Sequence, residues 1–223
     1  MATRGRIEPA RHAIACFDRQ THAPRELVIA CATPGSAVAR HVAGRTDVRL
    51  VEVPSAATVG ALRNAAIAAA AGPLLCVWDD DDLACPDRLA WQVAALAEAR
   101  AAACVLARVL LWWPARRRLA ASAGRMWENS LLVTREGIGA YPDVARGGDT
   151  AVVAGIRAAR RIVALDRADA YCYVAHGGNL WGERHFEMLF ARATQTFSGA
   201  AYDAAVERLS ALPLDAYAAG LAG

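Results

Sequence analysis

Four consecutive aspartates, Asp79 to Asp82, directly follow an apolar run in the stretch GPLLCVWDDDD at residues 72–82. Two like charges about 4 Å apart repel by roughly 4 kcal/mol at an effective dielectric constant near 20, so such a cluster requires a cation nearby. The alternative is helix capping, in which an aspartate accepts backbone N–H bonds worth about 0.5–2 kcal/mol. Capping accounts for Asp82 or Asp87, but not for four acids in a row.

A divalent cation would relieve this repulsion. Mg²⁺ and Mn²⁺ prefer carboxylate oxygens and usually also bind phosphate oxygens of a substrate. In open α/β sheets, ligands bind outside the carboxyl ends of the strands, and the four acids follow a predicted strand. If the chain stays extended there, Asp79 and Asp81 point to one side while Asp80 and Asp82 point to the other. The sequence therefore predicts a site for Mn²⁺ or Mg²⁺ and phosphate.

Apolar runs bounded by turn residues alternate with helical patterns in the first hundred residues, which predicts an α/β fold with a mostly parallel sheet flanked by helices. We predict strands at 26–31, 48–53 and 73–79, and helices at 9–20, 36–44, 58–71 and from Pro86 to about Arg100. The later pattern is less regular. It predicts strands at 103–112, 127–134, 161–165 and 170–176, and helices at 148–159, 183–197 and 200–211.

Composition and charge exclude several classes of protein. The net charge is +3, and the arginine cluster at 116–118 has no interleaved aromatics, so no nucleic-acid partner is expected. The six cysteines contain no CxxC pair and predict a reducing compartment rather than a zinc or disulfide framework. No secretory signal is expected in MATRGRIEPAR. We therefore expect a cytoplasmic protein, with peripheral contact at the inner membrane face through 116–118 as the alternative to a solvated loop.

Residues 61–96 read ALRNAAIAAAAGPLLCVWDDDDLACPDRLAWQVAAL. They combine an Arg-Asn helix, a Gly-bounded strand, an Asp-x-Asp motif with a further Asp, and a helix started by Pro. This combination resembles the donor-binding core of family 2 glycosyltransferases, which have a GT-A fold, a Rossmann-like α/β class. Residues 14–30 are similar to that family's first helix and second strand. The segment GGDTAVVAGI at 147–156 is similar to its Glu-Asp acceptor motif, and YVAHGGNLW at 173–181 is similar to a C-terminal segment that contains a His.

The resemblance implies a nucleotide-sugar donor held by the first half of the chain. Asp79 would contact the ribose, and Asp80 belongs to the same donor site. Arg63 and Asn64 match positions that line the nucleotide pocket, although Arg63 could equally be an ordinary charge on a helix surface. We thus interpret 1–223 as a single domain, with residues 1–100 as the nucleotide-sugar-binding half.

Residues 101–223 form the acceptor-binding half in this interpretation. The resemblance implies that Asp81 ligates the metal that bridges the diphosphate, that His176 reaches this metal or the diphosphate, and that Asp149 deprotonates the acceptor. The alternatives are a turn satisfied by His176 and a helix N-cap at Asp149. Four residues are expected to contact the acceptor: Trp127, Glu128, Asn179 and Trp181. For Trp127, packing is the alternative.

Three departures from the family pattern affect these expectations. Cys31 and Ala32 stand where the family has aspartates, one of which holds the base, so the base stays open, although a UDP-sugar remains the favoured donor. The segment ATRGR at 2–6 resembles the loop after the family's first strand, so that strand is expected to be missing or truncated. Gly148 stands where a Glu is common, next to Asp149.

The predicted function is that of an inverting, metal-dependent glycosyltransferase that moves a sugar from a nucleotide-sugar donor to a glycan, lipid or small-molecule acceptor. Mn²⁺ or Mg²⁺ would stabilise the leaving nucleoside diphosphate, and a carboxylate base would act on the acceptor hydroxyl. A nucleotidyltransferase would share this phosphate chemistry but would release pyrophosphate. A non-catalytic nucleotide-sugar-binding or scaffold protein is the third hypothesis.

Overall fold

Strands and helices alternate along the residues that the computed structural model describes, which are 1–144, 146–209 and 212–221. The strands are β1 (Ala2–Thr3), β2 (Leu27–Cys31), β3 (Val48–Glu52), β4 (Leu74–Cys76), β5 (Leu83–Ala84), β6 (Ala103–Leu106), β7 (Leu110–Trp113), β8 (Arg118–Ala121), β9 (Trp127–Thr134), β10 (Ile162–Leu165), β11 (Tyr171–Val174) and β12 (Gln195–Phe197). The helices are α1 (Ile7–Asp18), α2 (Ala37–His41), α3 (Val59–Ala69), α4 (Arg88–Glu98), α5 (Gly148–Ala159), α6 (Glu183–Ala191), α7 (Ala200–Arg208) and α8 (Leu214–Leu221).

The main sheet is assembled from two sets of strands. β1, β2 and β3 pair in parallel, and β4, β9, β6 and β10 form the second set. A parallel bridge between Ala2 and Asp79 joins the two sets, so the sheet continues across β1 to the end of β4. The predicted α/β class is confirmed, but the sheet is mixed, because β9 runs antiparallel to both β4 and β6.

The first strand, β1, lies in the middle of this sheet. Ala2 lies opposite Ala30 and Thr3 opposite Cys31. The loop predicted at residues 2–6 is therefore partly wrong, because Ala2 and Thr3 are strand and the chain leaves the sheet only at Arg4. Beside Met1, a mostly apolar cleft of about 330 Å³ lies between β2 and β4.

Two helices of the first half begin at hydroxyl N-caps, which explains why their starts could be predicted. Ser36 Oγ accepts a hydrogen bond from the N–H of Ala39 at 3.2 Å, and Thr58 Oγ1 accepts one from the N–H of Ala61 at 3.1 Å. A cap of this kind typically stabilises a helix by about 1 kcal/mol.

A second sheet has the strand order β12-β8-β7-β11-β5, and the sequence predicted it incompletely. The single strand expected at 103–112 is two strands, β6 and β7, in different sheets. The chain breaks there because Arg108 must reach solvent, where its Nε donates to Asp166 at 2.7 Å. The helix expected at 183–197 ends at Ala191, and β12 follows it. Strand β8 and helix α8 were not predicted.

The arginine cluster at 116–118 attaches α6 and α7 to the β7–β8 hairpin. Arg116 and Arg118 both pair with Glu187, and Arg117 pairs with Asp203. Each guanidinium also lies over an aromatic ring, at 4.0–4.9 Å from the ring centre. These arginines therefore have structural partners within the chain, and the expected membrane contact stays a prediction. No helix in the described part of the chain is both long and apolar enough to span a membrane.

A fully buried arginine supports the end of β4 from below. Arg88, at the start of α4, lies between the rings of Trp78 and Tyr171, at 5.0 and 4.6 Å from their centres. Its Nη2 donates to the carbonyl of Val77 at 3.0 Å, and its Nε donates to Oε1 of Gln92 at 3.1 Å. This arrangement fixes the backbone immediately before the four aspartates.

We expect Arg88→Met to lower the free energy of unfolding by about 3 kcal/mol, because a buried carbonyl and a buried amide lose their donor and two rings lose a cation. Urea unfolding followed by circular dichroism measures this loss. The control is Arg157→Met on an exposed face of α5, for which a change within about 0.5 kcal/mol is expected. Equal losses in the two variants would contradict a special role for Arg88.

Candidate functional site

A cavity of about 470 Å³ opens at the carboxyl ends of β1 and β4, and all four aspartates line it. The two strands are neighbours through the bridge between Ala2 and Asp79, so the loop after β1 faces the residues after β4. The far wall comes from the start of β9, the start of α5 and the segment after β11. Residues from both halves of the chain therefore meet in one space, at the edge where the sequence predicted it.

Arg63 joins two carboxylates of the cavity, those of Asp79 and Asp149. Its Nη2 lies 2.9 Å from Asp79 Oδ1, and its Nη1 lies 2.5 Å from Asp149 Oδ1. The guanidinium also lies over the ring of Tyr141, 5.2 Å from its centre. Burial raises the pKa of Asp79, although the charge of Arg63 acts in the opposite direction. Arg63 is thus part of the site and not a helix-surface charge.

Asn64 does not line the cavity, in contrast to the expectation. Its Nδ2 donates to the carbonyl of Tyr141 at 2.9 Å, and its Oδ1 accepts from the N–H of Tyr141 at 2.8 Å. Gly60 allows this close approach, because a Cβ there would lie 2.3 Å from the carbonyl oxygen of Pro142. Asn64 therefore acts on the site indirectly, by holding the tyrosine that packs under Arg63.

The chain turns at Asp80 and Asp81, so the alternation expected of an extended segment does not occur. Both carboxylates contact Nη2 of Arg6, at 3.2 and 2.8 Å. Asp80 also accepts a hydrogen bond from Thr3 Oγ1 at 2.6 Å and is buried. Burial, followed by the charge of Asp81, raises the pKa of Asp80 to about 6.

Asp82 has a structural role in this arrangement. It is buried and accepts hydrogen bonds from the hydroxyl of Tyr171 and from the N–H of Val174, the latter at 2.9 Å. Burial, together with the charges of Asp81 and Asp79, raises its pKa well above the ordinary range. It does not cap α4, whose N-cap position is held by Asp87 without a side-chain bond. Asp82 therefore anchors β11 to the aspartate cluster.

Asp81 and His176 meet although they are 95 residues apart in the chain. His176 Nε2 lies 3.1 Å from Asp81 Oδ2. The N–H of Gly178 donates to His176 Nδ1 at 3.2 Å, so the proton of a neutral ring resides on Nε2 and points to the carboxylate. Burial opposes ionisation of Asp81, but the bond from His176 and the charge of Arg6 outweigh it and lower the pKa. Asp81 is thus the most readily ionised acid of the cluster.

These two side chains fit the donor set of a small divalent cation. No group of three or more His, Cys, Asp or Glu side chains in the described residues is arranged to hold a metal alone. Mg²⁺ usually takes only one or two protein ligands beside substrate phosphates and waters. Asp81 can offer a carboxylate oxygen directly, whereas His176 would first have to move its proton from Nε2 to Nδ1, which gives up the bond from Gly178.

Asp149 lies in the first turn of α5 but does not cap it. The N-cap residue is Gly147, with a left-handed φ of 78°, and no side chain bonds to the exposed N–H groups there. The carboxylate is half-buried in the cavity and bound to Arg63. Its position fits a group that acts on a ligand better than it fits an N-cap.

The residues expected at the acceptor side all line the cavity, with different roles. Trp127 is 3% exposed and packs on Tyr173, so packing is its main role. Glu128 pairs with Arg125 at the rim. Asn179 is used internally: its Oδ1 accepts from the N–H of His176 at 2.9 Å, which closes the turn after β11.

Trp181 is the most exposed aromatic of this wall. It is 39% exposed and stacks on His185 of α6, with 5.0 Å between ring centres and an angle of 21°. The guanidinium of Arg146 lies 5.4 Å from the centre of the same ring. An exposed indole held flat in this way can stack on an apolar face of a ligand.

Arg6 is the residue of this site that the sequence analysis missed. It directly precedes α1 and belongs to the segment 2–6, which was identified only as the loop after the first strand. The available signal was position: a loop at the carboxyl end of a strand beside β4 must lie next to the aspartates. A cationic residue in that loop is the expected partner for them.

Known protein families and curated proteins contain no match to this chain. Among solved structures, residues 1–349 of S. aureus TarS share 12% identity with it, at a TM-score of 0.61 over 86% of this chain and 68% of that one. The complex of that fragment with UDP shares 12% identity with this chain, at a TM-score of 0.63 over 85% of this chain and 68% of that one. The complex with UDP-GlcNAc shares 13% identity, at a TM-score of 0.61 over 77% of this chain and 57% of that one. A longer TarS structure is covered to only 41%. This likeness confirms the predicted GT-A-like fold.

We expect Arg63→Met to lower the free energy of unfolding at pH 7 by about 3–5 kcal/mol, because it leaves two partly buried carboxylates without their shared cation. The pKa of Asp79 is already raised in the native protein and rises further in the variant. A raised carboxyl pKa destabilises the folded state as pH increases, so the loss should shrink as pH falls from 7 towards the ordinary carboxyl range.

Urea unfolding of both proteins between pH 5 and 7 measures this difference. Arg108→Met serves as the control, since it removes an exposed pair with Asp166 and should have little effect at any pH. A deficit in Arg63→Met that is independent of pH would contradict the electrostatic explanation.

Proposed function

We propose that this chain transfers a sugar from a nucleoside-diphosphate sugar to an acceptor hydroxyl, with inversion at the anomeric carbon. The observation that carries the proposal is the convergence of Asp79, Asp81 and Asp149 on one cavity at the strand ends, where Asp81 is also in contact with His176. A UDP-sugar is the proposed donor, since the similar TarS fragment has been solved with UDP and with UDP-GlcNAc. TarS is a glycosyltransferase, which supports the same class of reaction here.

The donor side of the proposal uses residues of the first half, 1–100. Asp79 accepts hydrogen bonds from the ribose, with Arg63 holding the carboxylate in place. Asp80 supports the same wall from a buried position. Asp81 and His176 are the residues that would hold Mn²⁺ or Mg²⁺. The cation supplies charge stabilisation for the departing diphosphate.

The acceptor side lies in residues 101–223. In the proposed step, the acceptor oxygen forms a bond to the anomeric carbon while the bond from that carbon to the diphosphate oxygen breaks, and the diphosphate leaves with the electron pair. Asp149 takes the hydroxyl proton. Its carboxylate then loses its charge, and Arg63 keeps Asp79 as its anionic partner. Trp181 offers a stacking face for a glycan, lipid-linked or small-molecule acceptor.

A non-catalytic nucleotide-sugar-binding protein is the second candidate. The observation that favours it is the ion pair between Asp149 and Arg63, because the carboxylate oxygen that faces the guanidinium is already occupied and is not open to an acceptor hydroxyl. Both candidates keep the cytoplasmic location expected from the sequence, since all six cysteines are free, as in a reducing compartment.

A panel of nucleotide sugars with Mn²⁺ tests the proposal, read by thermal shift and by release of nucleoside diphosphate in the presence of candidate glycan acceptors. We expect UDP-GlcNAc or another UDP-sugar to stabilise the protein and to release UDP. Release of pyrophosphate would indicate a nucleotidyltransferase. Stabilisation without release under any acceptor would favour the non-catalytic candidate, and no stabilisation by any nucleotide sugar would contradict both.

Asp149→Asn is expected to lower transfer by roughly 10²–10⁴-fold, the usual contribution of a general base. Donor affinity should stay nearly unchanged, because the base acts on the acceptor. Isothermal titration with UDP-GlcNAc and initial rates measure the two effects separately. The control is Asp166→Asn at an exposed position, and turnover of Asp149→Asn near that of the control would remove Asp149 from the mechanism.

A further inference from the structure

Arg6 makes contacts that the proposed reaction does not explain. Its Nη2 bonds to Asp80 and Asp81, and its Nη1 donates to the carbonyl of Gly178 at 3.0 Å. A single guanidinium therefore contacts the proposed metal ligand and the turn that follows His176. It occupies Oδ2 of Asp81, the carboxylate oxygen that also contacts His176.

We propose that Arg6 is an exchangeable internal counter-ion: it binds Asp81 until a divalent cation replaces it, and it then binds the diphosphate of the donor. This inference rests on the proposed function and assigns a positioning role to a residue of the same site. Its ligand is the diphosphate group of a nucleoside-diphosphate sugar.

Competition follows from the charges. Asp81 Oδ2 already accepts bonds from Arg6 at 2.8 Å and from His176 at 3.1 Å. A divalent cation placed on the same oxygen would lie a few ångströms from the guanidinium, and like charges at such distances repel by several kcal/mol at an effective dielectric constant near 20. Binding of the metal to Asp81 therefore favours departure of Arg6.

Arg6 is more exposed than Arg63 and is less firmly held. Its side chain is 38% exposed and extends from the loop between β1 and α1. Arg63 is 13% exposed, belongs to α3 and is held by two carboxylates and the ring of Tyr141. Two cations thus compensate the cluster, one fixed and one exchangeable.

A diphosphate is a suitable second partner for the departing guanidinium. Planar guanidinium groups bind phosphate oxygens through two parallel hydrogen bonds. Arg6 lines the same cavity as the four aspartates, so a diphosphate bound to a metal on Asp81 would lie within reach of the side chain. The move also breaks the bond to Gly178, which couples occupancy of the donor site to the turn that carries Asn179 and Trp181.

Titration with Mn²⁺ alone, followed by the electron paramagnetic resonance signal of the free ion, tests the competition without nucleotide. We expect Arg6→Gln to bind Mn²⁺ roughly ten-fold more tightly than wild type, since a charge-assisted hydrogen bond of about 1.5 kcal/mol no longer has to be broken. The matched control is Arg4→Gln, which removes the same charge from the same cavity. Within the described residues, the side chain of Arg4 donates a hydrogen bond to the carbonyl of Ala57 and makes no contact with the aspartates.

Unchanged or weaker Mn²⁺ binding by Arg6→Gln would overturn the inference. An equal gain in Arg4→Gln would overturn it as well, because the effect would then come from net charge and not from contact with Asp81. Adding Asp81→Asn to Arg6→Gln should abolish the gain. A gain that persists would place the metal elsewhere.

Titration with UDP tests the second partner. With Mn²⁺ present, Arg6→Gln should bind UDP roughly ten-fold more weakly than wild type in spite of its tighter hold on the metal. Equal UDP affinity would overturn the transfer of Arg6 to the diphosphate. If UDP and the other nucleotides bind to none of the proteins, the proposed function fails, while the Mn²⁺ titration still decides whether Arg6 competes for Asp81.

Discussion

The negative charges of the carboxylates in one wall of the cavity must be balanced by nearby cations. The arrangement of the site depends on this constraint. Asp79 to Asp82 and Asp149 all line the same space, and unpaired charges there would cost several kcal/mol each. The chain meets this cost with two guanidinium groups placed on either side of the cluster. Arg6 comes from the loop after β1 and Arg63 from α3, so the short central strand and the helix beside it are both needed for the acids to be tolerated.

The aspartates lie in different environments, and they therefore have different roles. Asp82 is buried under two hydrogen bonds, with a pKa well above the ordinary range, so it resembles a structural polar group. The pKa of Asp81 is lowered by His176 and Arg6 against the effect of burial, so it keeps its negative charge. Although the four residues are identical in type, Asp82 thus anchors β11 at one end of the turn and Asp81 is an ionised carboxylate in its middle.

Much of the site could be predicted from local sequence, because position at the end of a strand already determines where a residue lies. The acids after β4, Asp149 at the start of α5 and His176 after β11 were all expected. The fold brings the acids into one cavity and places His176 in contact with Asp81. The stretch WDDDD also excluded a purely capping role through repulsion alone. These inferences needed residue type and strand order, but no side-chain geometry.

The remainder depended on contacts that local patterns do not contain. Asn64 bonds to Tyr141, 77 positions away along the chain. Its position on a helix therefore gave no sign that its side-chain amide is bonded within the protein and is unavailable to a ligand. Arg88 carries no sequence sign that it will lie between two rings. The apolar run 103–112 was predicted as one strand because periodicity does not show where Arg108 must turn outwards to meet Asp166.

The attachment of α6 gives the two sides of the cavity different physical characters. On the aspartate side, the ion pairs of Arg63 are largely shielded from solvent. On the other side, α6 carries His185, on which Trp181 stacks, and the pairs of Arg116 and Arg118 with Glu187 that tie this helix to the hairpin are partly exposed. Dissolved salt weakens exposed ion pairs and weakens buried pairs much less. The wall beside Trp181 is therefore the part of the cavity whose shape depends on ionic strength, while the aspartate wall keeps its form.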